Sequence, residues 1–434
     1  MLYSRSLIFL LALFPFGLHL EARRTGSVIF IHPDGTGLGH WNAARHYYYG
    51  PDGKLNWDRM DRLGAYRPHQ KNWLSTTSHA GATVHAYGKK VHHNSYGLDN
   101  GKPLTALSGK RMTIMEEAMA GGYRAGIINS GHVGEPGTGV FLARTDKRYE
   151  AIPEIAAQII HSGAGVIFCG GEIYFIAKGM MGQHGQEGIR EDGRDLLSEA
   201  RANGYTVIFT RDELLSLSDN TEKVLGIFAS EGTYNARPMA QLREQGLPTY
   251  KAGAPTVGEM TAVALRILGS DANRKFLLVV EEEGTDDFSN NKNAQGMLDA
   301  IGRADAAIGH ALAYMYEYPE RPTLLLVGAD SDAGHPTLWS PVKSGTDFKL
   351  RERSESGAET HGPDGMGGEP FWSKPDNFGN SYPFGIIWAD KTDLPGSAVT
   401  KAHGLNADLL RSSIDNTGIY RIIHETLFGS PPGE

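Results

Sequence analysis

Short apolar segments alternate with helical patterns along almost the whole chain, and this alternation constrains the fold more than any other feature. Most of the segments are rich in Val, Ile, Leu and Phe and lack the every-second-residue polarity of half-buried strands. Such runs are typical of strands buried on both faces of a parallel sheet. The predicted strands are Ser27–Ile31, Ala125–Asn129, Gly165–Phe168, Tyr205–Phe209, Val224–Phe228, Phe276–Val280, Thr323–Val327 and Phe384–Trp388. The pattern predicts an α/β protein, a three-layer α/β/α sandwich with a mostly parallel central sheet and loop insertions.

Helix starts and periodic stretches fall between these strands. Two capping boxes, in which a hydroxyl and a carboxylate satisfy free backbone amides, are Thr113-x-x-Glu116 and Thr256-x-x-Glu259. Longer helices are predicted over Ala294–Glu317 and Thr417–Phe428. The region Ser354–Asn380, rich in Gly, Pro, Asp and Ser, is predicted to be a long loop over a site or a flexible excursion.

The N-terminus has the features of a secretory signal peptide. Arg5 precedes an apolar run from Leu7 to Leu18, which Pro15 and Gly17 make too short and too broken for a comfortable transmembrane helix. We therefore expect residues 1–22 to be removed, no stable membrane anchor, and a secreted or periplasmic protein; a buried N-terminal helix is the alternative. No linker divides residues 23–434, which are predicted to form one domain.

Charge and cysteine content exclude several classes of function. Lys and Arg number 42 and Asp and Glu number 50, so the net charge of −8 shows no basic excess and argues against nucleic acid or anionic membrane as the main partner. The single cysteine, Cys169, excludes an intramolecular disulfide and a cysteine-based metal cluster.

Acidic residues follow four of the predicted strands. They are Asp34, the run Glu281–Asp287, the pair Asp330 and Asp332, and the pair Asp390 and Asp393. Ligands of open α/β sheets bind beyond the carboxyl ends of the strands, where these acids would meet. Like charges at that edge would repel each other unless divalent cations bind among them. For any single acid, a helix cap or a solvent-exposed position is the simpler interpretation.

A possible nucleophile lies at Ser78, where small residues follow and allow a tight helix start. A metal ion can lower the pKa of such a hydroxyl, although an ordinary N-cap is the alternative. The glycines of Gly35-x-Gly37-x-Gly39 follow a strand but lack dinucleotide spacing, so we interpret them as a sharp turn beside a metal site.

Together, these motifs resemble the alkaline phosphatase superfamily, in the branch of secreted metal-dependent phosphomonoesterases. The segment Val28–Gly35 resembles the first strand of that family and its metal-bridging Asp, here Asp34. The motif Ser78-x-x-x-x-Thr83 resembles the nucleophile motif, and the resemblance implies that Ser78 becomes phosphorylated. The family usually has Asp before this Ser, whereas this chain has Thr77, so Thr77 and Thr76 are alternative nucleophiles.

The resemblance also implies a set of ligands across the rest of the chain. Glu135 and Thr138 would belong to the magnesium shell, and Arg148 would grip phosphate, although a plain surface Arg is the alternative. The remaining positions that match metal ligands of the family are Glu281, Asp286, Asn290, Asp330, Ser331 and Asp393.

Three of these positions carry Asn290, Ser331 and Asp393 where the family has His. Oxygen ligands suit hard ions, so Mg²⁺ or Ca²⁺ is favoured and Zn²⁺ stays possible. Other histidines, such as His335, His361 or His79, could supply nitrogen instead, or the site could have lost activity. The resemblance implies a hydrolase of small phosphate monoesters that forms a phosphoserine. A homodimer is one expected assembly. The alternatives are a phosphodiesterase or sulfatase-type relative and a non-catalytic metal- or phosphate-binding protein.

Overall fold

The computed structural model describes residues 23–340 and 348–433, so the predicted signal peptide lies outside the described residues. The strands are β1 (Ser27–Pro33), β2 (Arg62–Arg67), β3 (Leu98–Asp99), β4 (Lys102–Pro103), β5 (Arg124–His132), β6 (Val166–Gly170), β7 (Thr206–Ile208), β8 (Val224–Ile227), β9 (Phe276–Glu282), β10 (Thr323–Gly328), β11 (Asp332–Ala333), β12 (Pro336–Trp339), β13 (Thr360–Gly362), β14 (Gly365–Met366), β15 (Phe371–Trp372), β16 (Pro383–Trp388), β17 (Asp393–Leu394), β18 (Val399–Gly404) and β19 (Ser413–Asp415).

The helices are α1 (Leu38–Tyr49), α2 (Ser78–Tyr87), α3 (Ile114–Ala120), α4 (Pro136–Gly139), α5 (Ile152–His161), α6 (Leu196–Ala202), α7 (Arg211–Leu215), α8 (Met239–Glu244), α9 (Val257–Leu268), α10 (Gly284–Asn290), α11 (Ala294–Glu317) and α12 (Thr417–Phe428). Both predicted capping boxes are present, at the starts of α3 and α9. The predicted bounds of the two longest stretches match α11 and α12. In the described part of the chain, no helix is long and apolar enough to cross a membrane.

A ten-stranded sheet in the order β19-β2-β18-β10-β1-β9-β5-β6-β8-β7 forms the centre of the fold. Its strands are parallel except at β18, which is antiparallel to both β10 and β2. One face of the sheet is covered by α2, α3, α5, α6 and α12, and the other by α1, α9 and α11. Each face packs against its helices through one large cluster of buried apolar residues. The predicted α/β sandwich with a mostly parallel sheet is therefore confirmed. That residues 23–434 form a single domain stays a prediction.

A smaller antiparallel sheet corrects two predictions. The segment Phe384–Trp388 is a strand, but it belongs to this second sheet with β12, β13, β14 and β15 and does not end at the edge of the central sheet. The region Ser354–Asn380 is not one long loop, because it contributes β13, β14 and β15. Strands of two or three residues between glycine turns are too short to show an alternating pattern, which is why the sequence hid them.

Candidate active site

The carboxyl ends of three adjacent strands bring together the acids that the sequence placed far apart. Strand β1 lies between β10 and β9 and is parallel to both, so Asp34, Asp330 and Glu281 meet at one edge of the sheet. Gly35 has a φ of +60° and turns the chain so closely over Asp286 that an added Cβ would lie 2.6 Å from its Oδ1. The predicted sharp turn beside the acids is therefore present, and it requires glycine.

Asp34 and Asp330 face each other on the floor of the site and are both fully buried. The Nε2 atom of His32 lies 3.0 Å from Asp34 Oδ1, and the backbone amide of Gly35 donates to the same oxygen over 2.9 Å. Burial alone would raise the pKa of Asp34, but the bond from His32 and the neighbouring Ser78 hydroxyl hold it well below its usual range. Burial and the charge of Asp34 raise the pKa of Asp330.

Ser78 is the first residue of α2 and lies beside this pair of carboxylates. The helix approaches so closely that a Cβ at Gly81 would collide with the Asp330 side chain. The two alternative nucleophiles are engaged elsewhere: Thr77 is the N-cap, accepting from the amide of Ala80 and donating to the carbonyl of His93, and Thr76 donates to the carbonyl of Thr77. This arrangement favours Ser78 as the reactive hydroxyl.

Arg148 reaches the site from the loop before α5, and 13% of its side chain is exposed. Its Nη2 donates to Glu135 Oε2 over 2.5 Å, and His132 Nε2 lies 2.9 Å from Glu135 Oε1. Against the effect of burial, His132 and Arg148 lower the pKa of Glu135 to about 2. Both oxygens of Glu135 therefore already contact a nitrogen, of Arg148 or of His132, an arrangement that orients the guanidinium and leaves Glu135 poorly placed to hold a metal ion.

Glu281 and Thr138 lie together, as the sequence predicted, in a closed hydrogen-bond cluster. Glu281 Oε1 accepts from the amide of Gly137 over 2.8 Å, while Oε2 accepts from Thr138 Oγ1 over 3.2 Å and from Asn129. Burial, followed by the charge of Asp34, raises the pKa of Glu281 to about 7. The donors Gly137, Thr138 and Asn129 therefore already satisfy much of the hydrogen-bonding capacity of the Glu281 carboxylate.

A third group joins Asp286, Asn290 and Asp393. Asn290 Nδ2 donates to Asp286 Oδ2 over 2.8 Å, and burial together with Asp393 raises the pKa of Asp286 far above its usual value. Asp393 lies on β17 and pairs with Ala333 of β11. Asp393 therefore lies on a short antiparallel pair of strands and not at the end of a central strand, as the sequence had predicted. It nevertheless lines the cavity of the site.

Several buried oxygens in these groups have no hydrogen-bond partner among the described residues. They are Asp34 Oδ2, Glu283 Oε2, Asp286 Oδ1, Asn290 Oδ1, both carboxylate oxygens of Asp330, Ser331 Oγ and Asp393 Oδ1. A buried oxygen without a partner is costly. Burial, followed by the neighbouring acids, raises the pKa values of Glu283, Asp286, Asp330 and Asp393. Carboxylate, amide and hydroxyl oxygens in such a cluster fit hard divalent cations.

The residues enclose a cavity of about 380 Å³ that opens to solvent. Its lining residues are Thr77, Ser78, His79, His132, Glu135, Arg148, Tyr149, Ile152, Glu283, Asp286, Asp287, Asn290 and Asp393. The hydroxyl, the guanidinium and the clustered acids therefore share one space, as a site for a charged small molecule requires.

Sequence reasoning did not single out His32 or His132, and it named Glu283 and Asp287 only as members of the acidic run Glu281–Asp287. Glu283 and Asp287 stand in the acidic run after β9, and the α10 helix turn could have indicated that both share a face with Asp286. His32 carried a signal in its position two residues before Asp34, since alternate residues of a strand share a side. Pairing between His132 and Glu135 is a local i, i+3 contact.

The three histidines considered as replacement ligands lie in different places. His79 lines the cavity, where its Nδ1 lies 3.3 Å from Arg148 Nη1. His335 bonds to Asp332 over 2.7 Å, and His361 lies 3.7 Å from Glu359 and packs on Trp388. Of the three, only His79 is among the residues that line the cavity.

An α/β sandwich that gathers acids, a helix-start hydroxyl and an arginine at one sheet edge defines a class of hydrolases that act on charged esters. The profile of the alkaline phosphatase family matches residues 26–356, and the chain belongs to that family. It is therefore a phosphatase-type hydrolase of a family that depends on divalent metal ions and acts on phosphorylated substrates. The resemblance and the enzyme class predicted from the sequence are confirmed.

Three curated relatives are each less than 30% identical to this chain. A streptomycin-6-phosphate phosphatase from Streptomyces griseus is 28% identical over 73% of this chain and 75% of its own length. A membrane-bound alkaline phosphatase from Bombyx mori is 26% identical over 65% of this chain and 54% of its own, and the repressible alkaline phosphatase of Saccharomyces cerevisiae is 26% identical over 74% and 57%. This chain thus spans little more than half the length of the last two.

Solved structures agree in fold. The alkaline phosphatase of the Antarctic bacterium TAB5 has a TM-score of 0.71 at 20% identity, covering 94% of this chain and all of that one. The Thermus thermophilus alkaline phosphatase has a TM-score of 0.70 at 20% identity, covering 96% of both chains. A His-to-Asp variant of the TAB5 enzyme contains Mg bound in its M3 site.

Proposed function

We propose that this protein hydrolyses phosphate monoesters through a phosphoserine at Ser78. The observation that carries the proposal is the shared cavity, which is lined by Ser78 at the start of α2, by Arg148 and by buried acids with unpartnered oxygens. Membership of the alkaline phosphatase family supports the reaction class.

The chain itself supplies most of the proposed steps. Arg148, oriented by Glu135, holds two equatorial phosphate oxygens. Ser78 then attacks phosphorus while its proton passes to water in the open cavity, and the P–O bond to the leaving group breaks on the opposite side, where the departing oxygen takes up a proton from water to leave as the alcohol. A water molecule next attacks the phosphoserine from the place that the alcohol has left, which releases phosphate and restores Ser78.

Divalent ions would be held by two groups of residues, one of Asp34, Ser78 and Asp330 and one of Asp286, Asn290 and Asp393. When bound, such ions lower the pKa of a coordinated hydroxyl and neutralise charge on attacking and leaving oxygens. Glu135, Thr138 and Glu281 complete the predicted ligand set, and a carboxylate oxygen of Glu281 lies within 4.8 Å of one of Asp34. Ser331 stands next to Asp330 with its own oxygen unpartnered.

Secretion through the segment 1–22 and export to the periplasm or beyond are part of the proposal. The proposed substrate is a small phosphorylated molecule, and nucleic acid is not proposed as a partner. A panel of p-nitrophenyl phosphate, bis-p-nitrophenyl phosphate and p-nitrophenyl sulfate tests the function. Faster release from the diester or the sulfate would favour a diesterase or sulfatase, and no turnover with any added ion would favour a binding protein.

Replacing Arg148 by Ala is expected to lower kcat/KM for p-nitrophenyl phosphate by roughly 100- to 1000-fold, because a charged donor to the developing phosphoryl charge is lost. The control is Arg144→Ala, which removes a guanidinium that pairs with Glu116 outside the cavity. Equal effects of the two substitutions would contradict the role proposed for Arg148.

Metal removal gives a separate prediction. After chelation and dialysis, Mg²⁺ or Ca²⁺ should restore more activity than Zn²⁺ alone, because the group around Asp286 offers oxygen ligands only. Activity is measured across a concentration series of each ion, and bound ions are counted by elemental analysis. Active protein with stoichiometric zinc and no magnesium or calcium would overturn this preference.

A further inference from the structure

The two carboxylates next to Ser78 have a third close neighbour, the imidazole of His32. Its Nε2 lies 3.0 Å from Asp34 Oδ1 and 3.9 Å from Asp330 Oδ1, and all three side chains are fully buried. One ligand atom from each residue lies within 4.8 Å of the other two. Ligand atoms that share one ion at about 2.0–2.2 Å lie roughly 3–4 Å apart, so this spacing suits a common cation.

Unpartnered oxygens point to the same place. Asp34 Oδ2 and both oxygens of Asp330 have no hydrogen-bond partner in residues 23–340 and 348–433, and neither does Ser331 Oγ. Asp34 Oδ1, in contrast, accepts from the amide of Gly35 and lies 3.0 Å from His32 Nε2. Burying carboxylate oxygens that have no hydrogen-bond partner is costly, because no solvent reaches them. A bound cation would offset this cost.

The fold fixes the orientation of the imidazole. His32 and Asp34 are two residues apart at the end of β1, so their side chains lie on the same side of the sheet. The ring is held edge-on between Phe30 and His85, with ring centroids 5.8 and 5.6 Å away. Its Nε2 edge is therefore directed at the carboxylates without a further loss of side-chain freedom.

We propose that His32 is a nitrogen ligand of the cation held by Asp34 and Asp330. The centre beside Ser78 then has mixed nitrogen and oxygen ligands, whereas the centre at Asp286 has oxygen ligands only. Imidazole favours Zn²⁺, Co²⁺ and similar ions, so the preference for Mg²⁺ or Ca²⁺ applies to the Asp286 centre. Ion binding here belongs to the proposed function, on which this inference rests, but it is measurable without any turnover.

Cobalt binding to the metal-free protein tests the proposal. Titration with Co²⁺ is followed by its visible absorption in the wild type, in His32→Gln and in the control His161→Gln, which alters a half-exposed ring on α5. Glutamine can still donate a hydrogen bond to Asp34 but is a poor metal ligand. We expect His32→Gln to lower the affinity of the tightest site for Co²⁺ by at least about 100-fold. Loss of an outer-shell partner alone lowers metal affinity by roughly 10- to 100-fold. His161→Gln should bind Co²⁺ with the affinity of the wild type.

Wild-type affinity and an unchanged cobalt spectrum in a folded His32→Gln protein would overturn the proposal and make His32 a positioning residue for Asp34. If His32→Gln does not fold, pulsed EPR of Cu²⁺ bound to the His79→Gln/His132→Gln variant decides. We expect the coupling of one imidazole nitrogen to persist there, because His32 remains. Copper bound with no nitrogen coupling would contradict the assignment, and a catalytically inactive protein that retains the coupling would refute only the proposed function.

Discussion

Replacing Ser78 by Ala is expected to lower kcat on p-nitrophenyl phosphate by roughly 10⁴-fold or more, because the two-step route through a covalent intermediate is lost. Substrate binding should change much less, since Arg148 and the acid groups are untouched. Rapid acid quenching followed by peptide mass spectrometry measures the phosphoserine directly. We expect a phosphorylated peptide containing residue 78 in the wild type and none in Ser78→Ala.

The neighbouring residue provides a matched control for this prediction. Thr77 caps α2 through its hydroxyl, and Thr77→Ala should cost about 1 kcal/mol of unfolding free energy while phosphoserine still forms. Full turnover by Ser78→Ala, or phosphate recovered on Thr76 or Thr77, would show that a different hydroxyl is the nucleophile.

Much of the fold was predictable from the sequence because the central strands are buried on both faces. Such strands appear as uninterrupted apolar runs, and each predicted run coincides with a strand of the structure. The meeting of Asp34 and Asp330 followed from the same pattern, since polar residues that follow adjacent parallel strands share an edge. Family membership then confirmed the class of enzyme.

The rest of the site depends on contacts that leave no periodic signal. Asp393 enters on a two-residue strand paired with β11, and the apolar strand before it belongs to a different sheet. The pairing of Glu135 with Arg148 joins residues thirteen positions apart across a loop. The resemblance to the family implied a metal-shell role for Glu135, whereas its contacts in the structure fit a role in orienting Arg148. The expected role as a ligand stays an untested prediction.

A buried ion pair behind the site provides the second large prediction. Glu282 is fully buried at the end of β9, between two site carboxylates in sequence, and Arg303 of α11 donates to both its oxygens over 2.9 and 3.0 Å. Ser130 Oγ also donates to Glu282 over 3.0 Å. Arg303→Met should lower the unfolding free energy by about 3–5 kcal/mol, because the fully buried Glu282 would lose its cationic partner. Equilibrium denaturation of the protein with and without chelator measures the loss.

Two further variants separate the charge effect from a loss of packing by Arg303, whose guanidinium lies over the ring of Tyr250. In Arg303→Met/Glu282→Gln the buried charge is gone and the amide oxygen can still accept from Ser130, so most of the lost stability should return. Arg266→Met removes an exposed arginine that pairs with Asp219 and should cost no more than about 1 kcal/mol. If the double variant is as unstable as Arg303→Met alone, the packing of Arg303 on Tyr250 and not the charge pair holds α11 against the end of β9. Because Glu281 and Glu283 flank Glu282, a recovered double variant that also binds metal normally would show that the ion pair stabilises the fold of the site without setting its chemistry.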